Sequence, residues 1–287
     1  MAKVETSTIR GLDTDKAVKG FALTNYIFKG LVTVSTLKGD SLRWYQETAA
    51  DLTATSPVSI KTDRLTQFPT FEVDWTRNTS FPDKYGVEGF ISIEDIKSAD
   101  IDVLARTLLR LTRAVIKQVD LAIYNVMSED QSPSNIGTAA AVGTGWDDTT
   151  NGNPILDIMA AKQNIAENDY NAEGGIIAMN PKNHKDLLNY IITVKGSSIP
   201  GFSTEKVKSG VVMGLLGMRV VVSNNVVADS VWVGLPKTAV TWKSFMEIKT
   251  EVTDSPGIGK EIVVWEAGMA ILTDPKAAYL ITDTDTA

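Results

Sequence analysis

This chain of 287 residues contains no cysteine and a single histidine, His184. The first lack excludes disulfides, thiolate metal sites and cysteine nucleophiles. The second leaves His184 without an imidazole partner, so any metal site there would need carboxylates alone to complete it. Long hydrophobic runs are missing too. The most apolar stretch, VVMGLLGMRVVV at 211–222, is 12 residues long and holds Arg219; a membrane helix takes about 20 apolar residues. The opening MAKVETSTIRGLDTDK lacks the apolar run of a signal peptide, so synthesis in a cytoplasm is expected. Positive charge is short: 28 basic against 35 acidic side chains, a net charge of −7. An acidic surface is a poor general binder of nucleic acid, because it repels phosphates.

Catalytic signatures are absent as well. There is no Gly-x-Ser-x-Gly elbow, no His-Glu-x-x-His and no dinucleotide-binding fingerprint. SPGIGKE at 255–261 carries Glu261 where a phosphate loop needs Ser or Thr. DDTTNG at 147–152 resembles the start of a calcium loop, but its twelfth position is Ile158 rather than Glu. Asn78 heads a formal glycosylation triplet that has no secretory context. No catalytic residue, cofactor or metal ligand is therefore assigned.

What is present is organisation. The chain is 43% hydrophobic and 22% charged, the composition of an ordinary globular protein. Residues 1–40 show no long period and read as an extended arm. SLRWYQE places Leu42, Trp44 and Gln46 on one side of a strand. TFEVDWT alternates Phe71, Val73 and Trp75 against Glu72, Asp74 and Thr76, the period of a half-buried strand. The polar stretch between them, with Pro57, is long for a loop. Residues 42–76 are thus expected to form a two-stranded arm with a mobile tip.

The strongest signal is DIDVLARTLLRLTRAVIKQVDLAIYNVM, 100–127, which has neither Gly nor Pro. Ile101, Leu104, Leu108, Leu111, Val115, Val119, Ala122 and Val126 step by three or four and fall on one helical stripe. Fully helical, this element is roughly 42 Å long. Arg106, Arg110, Arg113 and Lys117 form a second stripe opposite the first. A solvated face and an electrostatic contact with a negative neighbour are both compatible with that pattern.

Residues 128–152 are rich in Gly and small side chains and read as a loop that breaks the chain's organisation. Asn153–Pro154 then signals the start of an amphipathic helix bearing Ile155, Ile158, Met159, Lys162 and Ile165. IIAM, 176–179, is a short buried strand, and Asn180–Pro181 opens the helix KNHKDLLNYII. His184 lies in its first turn, one turn ahead of Leu187 and Leu188. It is expected to be a partly exposed helix residue rather than a general base. Strands follow at Met218–Ser223 and Val231–Leu235. AVTWKSFMEIKTEV, the turn TDSPGIGKE, and IVVWEAGMAILTDPKAAYLIT supply further strand material before the polar tail DTDTA.

The order of these elements resembles that of the major capsid proteins of tailed phages, the Hong Kong 97 fold, over nearly the whole chain. GGIIAMNPKNHKDLLNYI is similar to that family's strand–Asn-Pro–helix, and LLGMRVVVSNNV to the strand that follows it. The resemblance implies an α+β fold: an N-terminal arm (1–40), an extended loop (41–85), a peripheral domain with a spine helix (86–150, helix 100–127), an α/β axial domain (151–235), and a return to the peripheral domain with a C-terminal tail (236–287). It implies a shell subunit of a tailed double-stranded DNA virus, located in the virion capsid, that self-assembles through hexamers and pentamers without catalysis. Partners would be further copies, a separate scaffolding protein, a portal and weakly held packaged DNA, with no membrane. The basic stripe, Arg106, Arg110, Arg113 and Lys117, would face DNA or an adjacent subunit. Trp44, Phe71 and Trp75 would pack between subunits. Some members join an extended-loop lysine to a peripheral-domain asparagine. Lys61 is a loop candidate, but no asparagine follows Asn225, so no such crosslink is expected. Encapsulin-type nanocompartment shells share the fold and are an alternative; a hydrolase built around His184 and a tail or decoration protein are more distant ones.

Overall fold

The computed structural model describes residues 18–19, 22, 25–39, 41–47, 75–98, 102–131, 134–142, 144–148, 150–194 and 212–285. The chain divides into two interleaved units. The first draws on Met1–Leu42, Phe81–Val126 and Val240–Ile271, the second on Arg43–Ser80, Met127–Ala239 and Leu272–Ala287.

The first unit is built on a four-stranded sheet, ordered β1 (Thr33–Thr36), β10 (Val240–Ser255), β11 (Gly259–Leu272), β4 (Asp83–Ser92). β1 runs parallel to β10, with Thr33 opposite Thr241. β4 and β11 run antiparallel, from Asp83 opposite Gly268 to Ser92 opposite Gly259. Alternation along β4 sends Tyr85, Val87, Gly89 and Ile91 to the more covered face and Lys84, Glu88 and Phe90 to the open one. On β11 the matching covered positions are Ile262, Val264 and Glu266. A short helix, α1 (Ile93–Ser98), follows β4, and then comes α2 (Val103–Met127).

α2 begins at Val103 rather than Asp100, because the Asp102 carboxylate accepts a hydrogen bond from the Ala105 N–H (3.0 Å) and caps the first turn. Asp100 and Ile101 lie outside the described residues. Its 25 residues give a helix about 37 Å long. The expected apolar stripe is only part of the covered face. Leu108, Val115 and Val119 are buried, but so are Thr112, Ile116, Asp120, Ile123 and Tyr124, while Leu104, Leu111, Ala122 and Val126 are half-buried. The buried band is therefore broader than the stripe and turned around the helix. Thr112 enters it because its hydroxyl donates to the Leu108 carbonyl (2.7 Å). Gly89 lets strand and helix approach: a Cβ there would come within 2.9 Å of the Leu111 side chain. Of the stretch expected to be an arm, Val18, Ala22, Phe28, Leu31 and Val32 are buried, and β1 is a member of the sheet.

β2 (Leu42–Glu47) and β3 (Trp75–Ser80) pair as a ribbon of their own, the base of the expected two-stranded arm. Residues 48–74, and with them Lys61, Phe71 and the expected tip, lie outside the described residues.

The second unit holds a six-stranded sheet ordered β5 (Gly137–Ala140), β12 (Ala278–Thr282), β9 (Ser230–Gly234), β6 (Ile176–Met179), β8 (Met218–Val222), β7 (Gly214–Leu215). β6 lies parallel to β8 and antiparallel to β9. Its IIAM side chains are all buried, as a central strand requires. α3 (Pro154–Glu167) and α4 (Pro181–Asn189) start as the Asn-Pro pairs predict. Asn153 accepts from the Leu156 N–H (3.3 Å) and Asn180 from the Lys182 N–H (3.0 Å). The core gathers Trp146, Ile158, Ile165, Ile177, Met179, Leu187, Val231, Val233 and Ile281.

Three expectations change here. Met159 is 50% exposed; the covered face of α3 is Asp157, Ile158, Ala161 and Ile165. The stretch 128–152 is not simply a loop, because it contains β5, which pairs parallel to β12. GTAA has no apolar alternation to announce a strand, yet a Cβ at Gly137 would sit 2.8 Å from the Tyr279 ring. The start of the polar tail is anchored. Thr284 is buried and accepts from the Asn183 amide (3.2 Å), its carbonyl accepts from the Trp146 N–H (2.8 Å), and Asp285 pairs with Lys182.

Candidate assembly surfaces

The four basic residues occupy one exposed face of α2. Arg106, Arg110, Arg113 and Lys117 are all exposed, and Leu109, 40% exposed, lies among them. Asp120 is the sole acid between Val103 and Met127, and it is buried, so the exposed face carries charge of one sign.

A second exposed surface lies on the open face of the four-stranded sheet and at its hairpin tip. Phe90 is 54% exposed and Ile258 62%. Gly259, next to Ile258, lies beneath Phe90, where a Cβ would come 3.0 Å from the ring. The Ile93 N–H donates to the Ile258 carbonyl (3.0 Å), which ties α1 and its exposed Ile96 to the same tip. Glu88, Glu94, Asp95 and Asp254 are exposed on the same segments that carry these apolar residues, Asp254 being paired with Lys260 (3.2 Å). Further along the sheet, the Lys84 ammonium sits 5.6 Å from the Trp265 ring centroid.

The three extended-loop aromatics are not brought together among the described residues. Trp44 is half-buried on β2, and its indole N–H is shielded from solvent without a hydrogen-bond partner. Phe71 lies outside the described residues, and of Trp75 only the strand backbone is described.

His184 has a structural role. Its Nε2 accepts a hydrogen bond from the Val212 N–H (3.1 Å), which fixes the neutral ring. Burial pushes its pKa below the usual 6.5. Among the described residues no group of three His, Asp or Glu side chains could hold a metal ion.

The buried carboxylates Asp120, Glu266 and Asp157 lie outside the residues the sequence marks as candidates. Asp120 accepts from the backbone N–H groups of Ile27 (2.8 Å), Phe28 (3.2 Å) and Lys29 (3.1 Å). It thus pins the entering chain to α2. Burial nonetheless holds its carboxyl above the usual range, against those three donors and the nearby Lys29. Glu266, fully buried on β11, pairs with the Lys29 ammonium and accepts from the Tyr26 hydroxyl. Burial, then the charge of Glu266, raises the Tyr26 pKa strongly. Beside this anchor is a cavity of about 680 Å³ lined by Lys19, Tyr26, Lys29, Ser35, Glu247 and Ile248, among others. In the second unit Asp157 plays a similar part. It accepts from the Trp146 indole (2.7 Å) and the Val142 N–H (2.9 Å), and burial raises its pKa. Their signal in the sequence is an acid set among apolar residues, Asp120 on the flank of the stripe and Glu266 inside IVVWEAGMAIL.

Comparison with known proteins bears on these surfaces. A family described as phage capsid protein matches residues 77–281, most of the chain. No curated protein sequence matches. Solved structures do. The capsid of cyanophage P-SCSP1u is 19% identical with a TM-score of 0.66, over 90% of this chain and 88% of that one. A structure from Mycobacterium phage Che8 is 14% identical with a TM-score of 0.66, over 91% and 93%. The virus-like particle of Pyrococcus furiosus is 14% identical with a TM-score of 0.64, over 95% and 99%.

Proposed function

This chain belongs to the phage capsid protein family, and from that premise we propose that it is the shell subunit of a tailed phage with a double-stranded DNA genome. Its fold is the Hong Kong 97 fold of phage major capsid proteins, and its role is structural. The observation that carries the finer reading is the family match over 77–281, joined to a fold shared with capsid structures along nearly the whole chain.

In this reading the chain closes into hexamers and pentamers, with a separate scaffolding protein and a portal as assembly partners. Two opposed exposed surfaces on the first unit support it, since a ring subunit needs unlike faces for its two neighbours. The arm 1–40, extended loop 41–85, peripheral domain 86–150, axial domain 151–235 and return 236–287 are the corresponding parts. Trp44, Phe71 and Trp75 pack between subunits. The stripe Arg106, Arg110, Arg113 and Lys117 meets a negatively charged partner.

The test is sedimentation velocity of the purified protein with negative-stain imaging of each peak. Shells, pentamers or hexamers are expected. A species that stays a monomer or dimer, even with a scaffold, overturns the reading. The likeness to the Pyrococcus furiosus virus-like particle favours a second reading, a nanocompartment shell that encloses protein cargo. Packaged DNA in particles from infected cells separates the first from the second.

A further inference from the structure

We propose that the two exposed surfaces of the first unit meet between copies of this chain: the apolar hairpin tip of one subunit docks on the arginine-lined face of α2 of the next. This inference rests on the shell reading above.

The surfaces match in both chemistry and layout. The tip has an apolar centre, Phe90, Ile258 and Ile96, exposed by 54, 62 and 37%. Its rim holds Glu88, Glu94, Asp95, Asp254 and Glu261, with Lys97 and Lys260 as the opposing charges. The face of α2 has the converse arrangement. Leu109 is its apolar element, at the edge of the basic stripe, with Arg106 three residues before, Arg110 next in sequence and Arg113 four residues after. Residues three and four apart lie side by side on a helix, so Arg106 and Arg113 border Leu109 along one side, with Arg110 beyond them. Contact would cover apolar surface on both sides and bring carboxylates to guanidinium groups, which form strong paired hydrogen bonds with them. Such complementarity also fixes which neighbour docks, and in what register.

The placement makes the contact heterologous. Phe90 and Glu88 point away from the sheet face on which Gly89 meets Leu111 of α2. The arginines point away from the buried side of α2. The two patches therefore lie on opposite sides of the same sheet-and-helix layer. Each subunit offers a tip in one direction and a helix face in the other, a head-to-tail arrangement that gives a ring where the rotation between copies closes. An acidic protein surface satisfies the stripe with apolar contact as well as charge, whereas a phosphate backbone leaves Leu109 and the tip uncovered; this favours a second copy over nucleic acid.

A chain without cysteine allows a direct test. Leu109→Cys and Ile258→Cys are combined in the full chain, assembled, and treated with a short bis-maleimide before a denaturing gel. The double variant is expected to give a ladder of multimers beyond the dimer, and each single variant to stay monomeric. Assembled particles of the double variant without a ladder overturn the proposal, as do dimers from either single variant. Charge reversal is the second measurement. Arg106→Glu with Arg110→Glu is expected to lower the assembled fraction at least about tenfold, and adding Glu88→Lys with Glu261→Lys to restore it to within about threefold. A folded four-residue swap that stays unassembled overturns the proposal. So does a helix variant that assembles normally but holds less nucleic acid, which would assign the stripe to the genome. Wild-type chains that never assemble would remove the shell reading itself, whereas assembled wild type with no ladder in the double variant removes this contact alone.

Discussion

Single side chains carry much of the local order, and their protonation gives measurable signatures. His184 accepts the Val212 N–H only as the neutral ring, and its folded pKa is depressed by burial. Its contribution is therefore complete above the ordinary value of about 6.5 and is lost as pH falls through the lowered folded value. His184→Ala should cost roughly 1–2 kcal/mol, the price of an orphaned backbone donor, and leave assembly intact. Urea unfolding at several pH values should show that His184→Gln, which still offers an acceptor, flattens the slope below neutrality. Asp120 behaves in the opposite sense. Its folded pKa is raised, so the favourable protonation linkage is full below about 3.9 and is lost as pH rises through the folded value, where ionising the buried group costs stability. At neutral pH it is nevertheless indispensable, because it satisfies the three N–H groups of residues 27–29. Asp120→Ala leaves those donors buried and should destabilise by roughly 3–5 kcal/mol in equilibrium unfolding. Asp120→Asn, which keeps one oxygen, should lose distinctly less.

At the scale of elements, legibility followed the strength of periodicity. α2, β6 and the two Asn-Pro helix starts were readable because apolar spacing and capping residues agreed. β5 was not readable, because GTAA has no alternation and joins the sheet through its pairing with β12. The broader burial of α2 was missed for a similar reason: Asp120 and Tyr124 are covered by tertiary packing that helix periodicity does not encode. Trp146 and Asp157 sit at a loop and a helix start, and only the fold brings them together. Of the candidate site, the basic stripe was legible as a pattern, whereas the hairpin tip depends on two segments, β4–α1 and the β10–β11 turn, that are distant in sequence. Reversing all four charges at Arg106, Arg110, Arg113 and Lys117 should change the melting transition little, since exposed charges contribute at most about 1 kcal/mol each. The same variant should lose particle yield. Normal packaging would return the stripe to a solvated face.

For the whole molecule, the family and fold place the chain among shell proteins, and its particles should be held by non-covalent contacts alone. Mature particles boiled in detergent should run as a single monomer band; a ladder of covalent multimers would contradict the expectation drawn from the missing asparagine after Asn225. Neither unit is continuous in the chain, since β1 pairs with β10 and β5 with β12. A fragment ending at residue 239 lacks β10, β11 and β12. It should be degraded rapidly by protease and show no cooperative unfolding, whereas a fragment with one self-sufficient unit would resist.

That interleaving has a consequence for synthesis. A ribosome that has released β9 has completed neither sheet: the first still waits for β10 and β11, and the second for β12 between β5 and β9. Both units therefore close late and almost together, once translation has passed residue 282. Long-range pairing of this kind is slow and leaves strand edges open while it waits. Incomplete chains consequently never present a finished docking face, so a prematurely terminated product fails as a whole subunit and is left to proteolysis instead of poisoning the growing lattice.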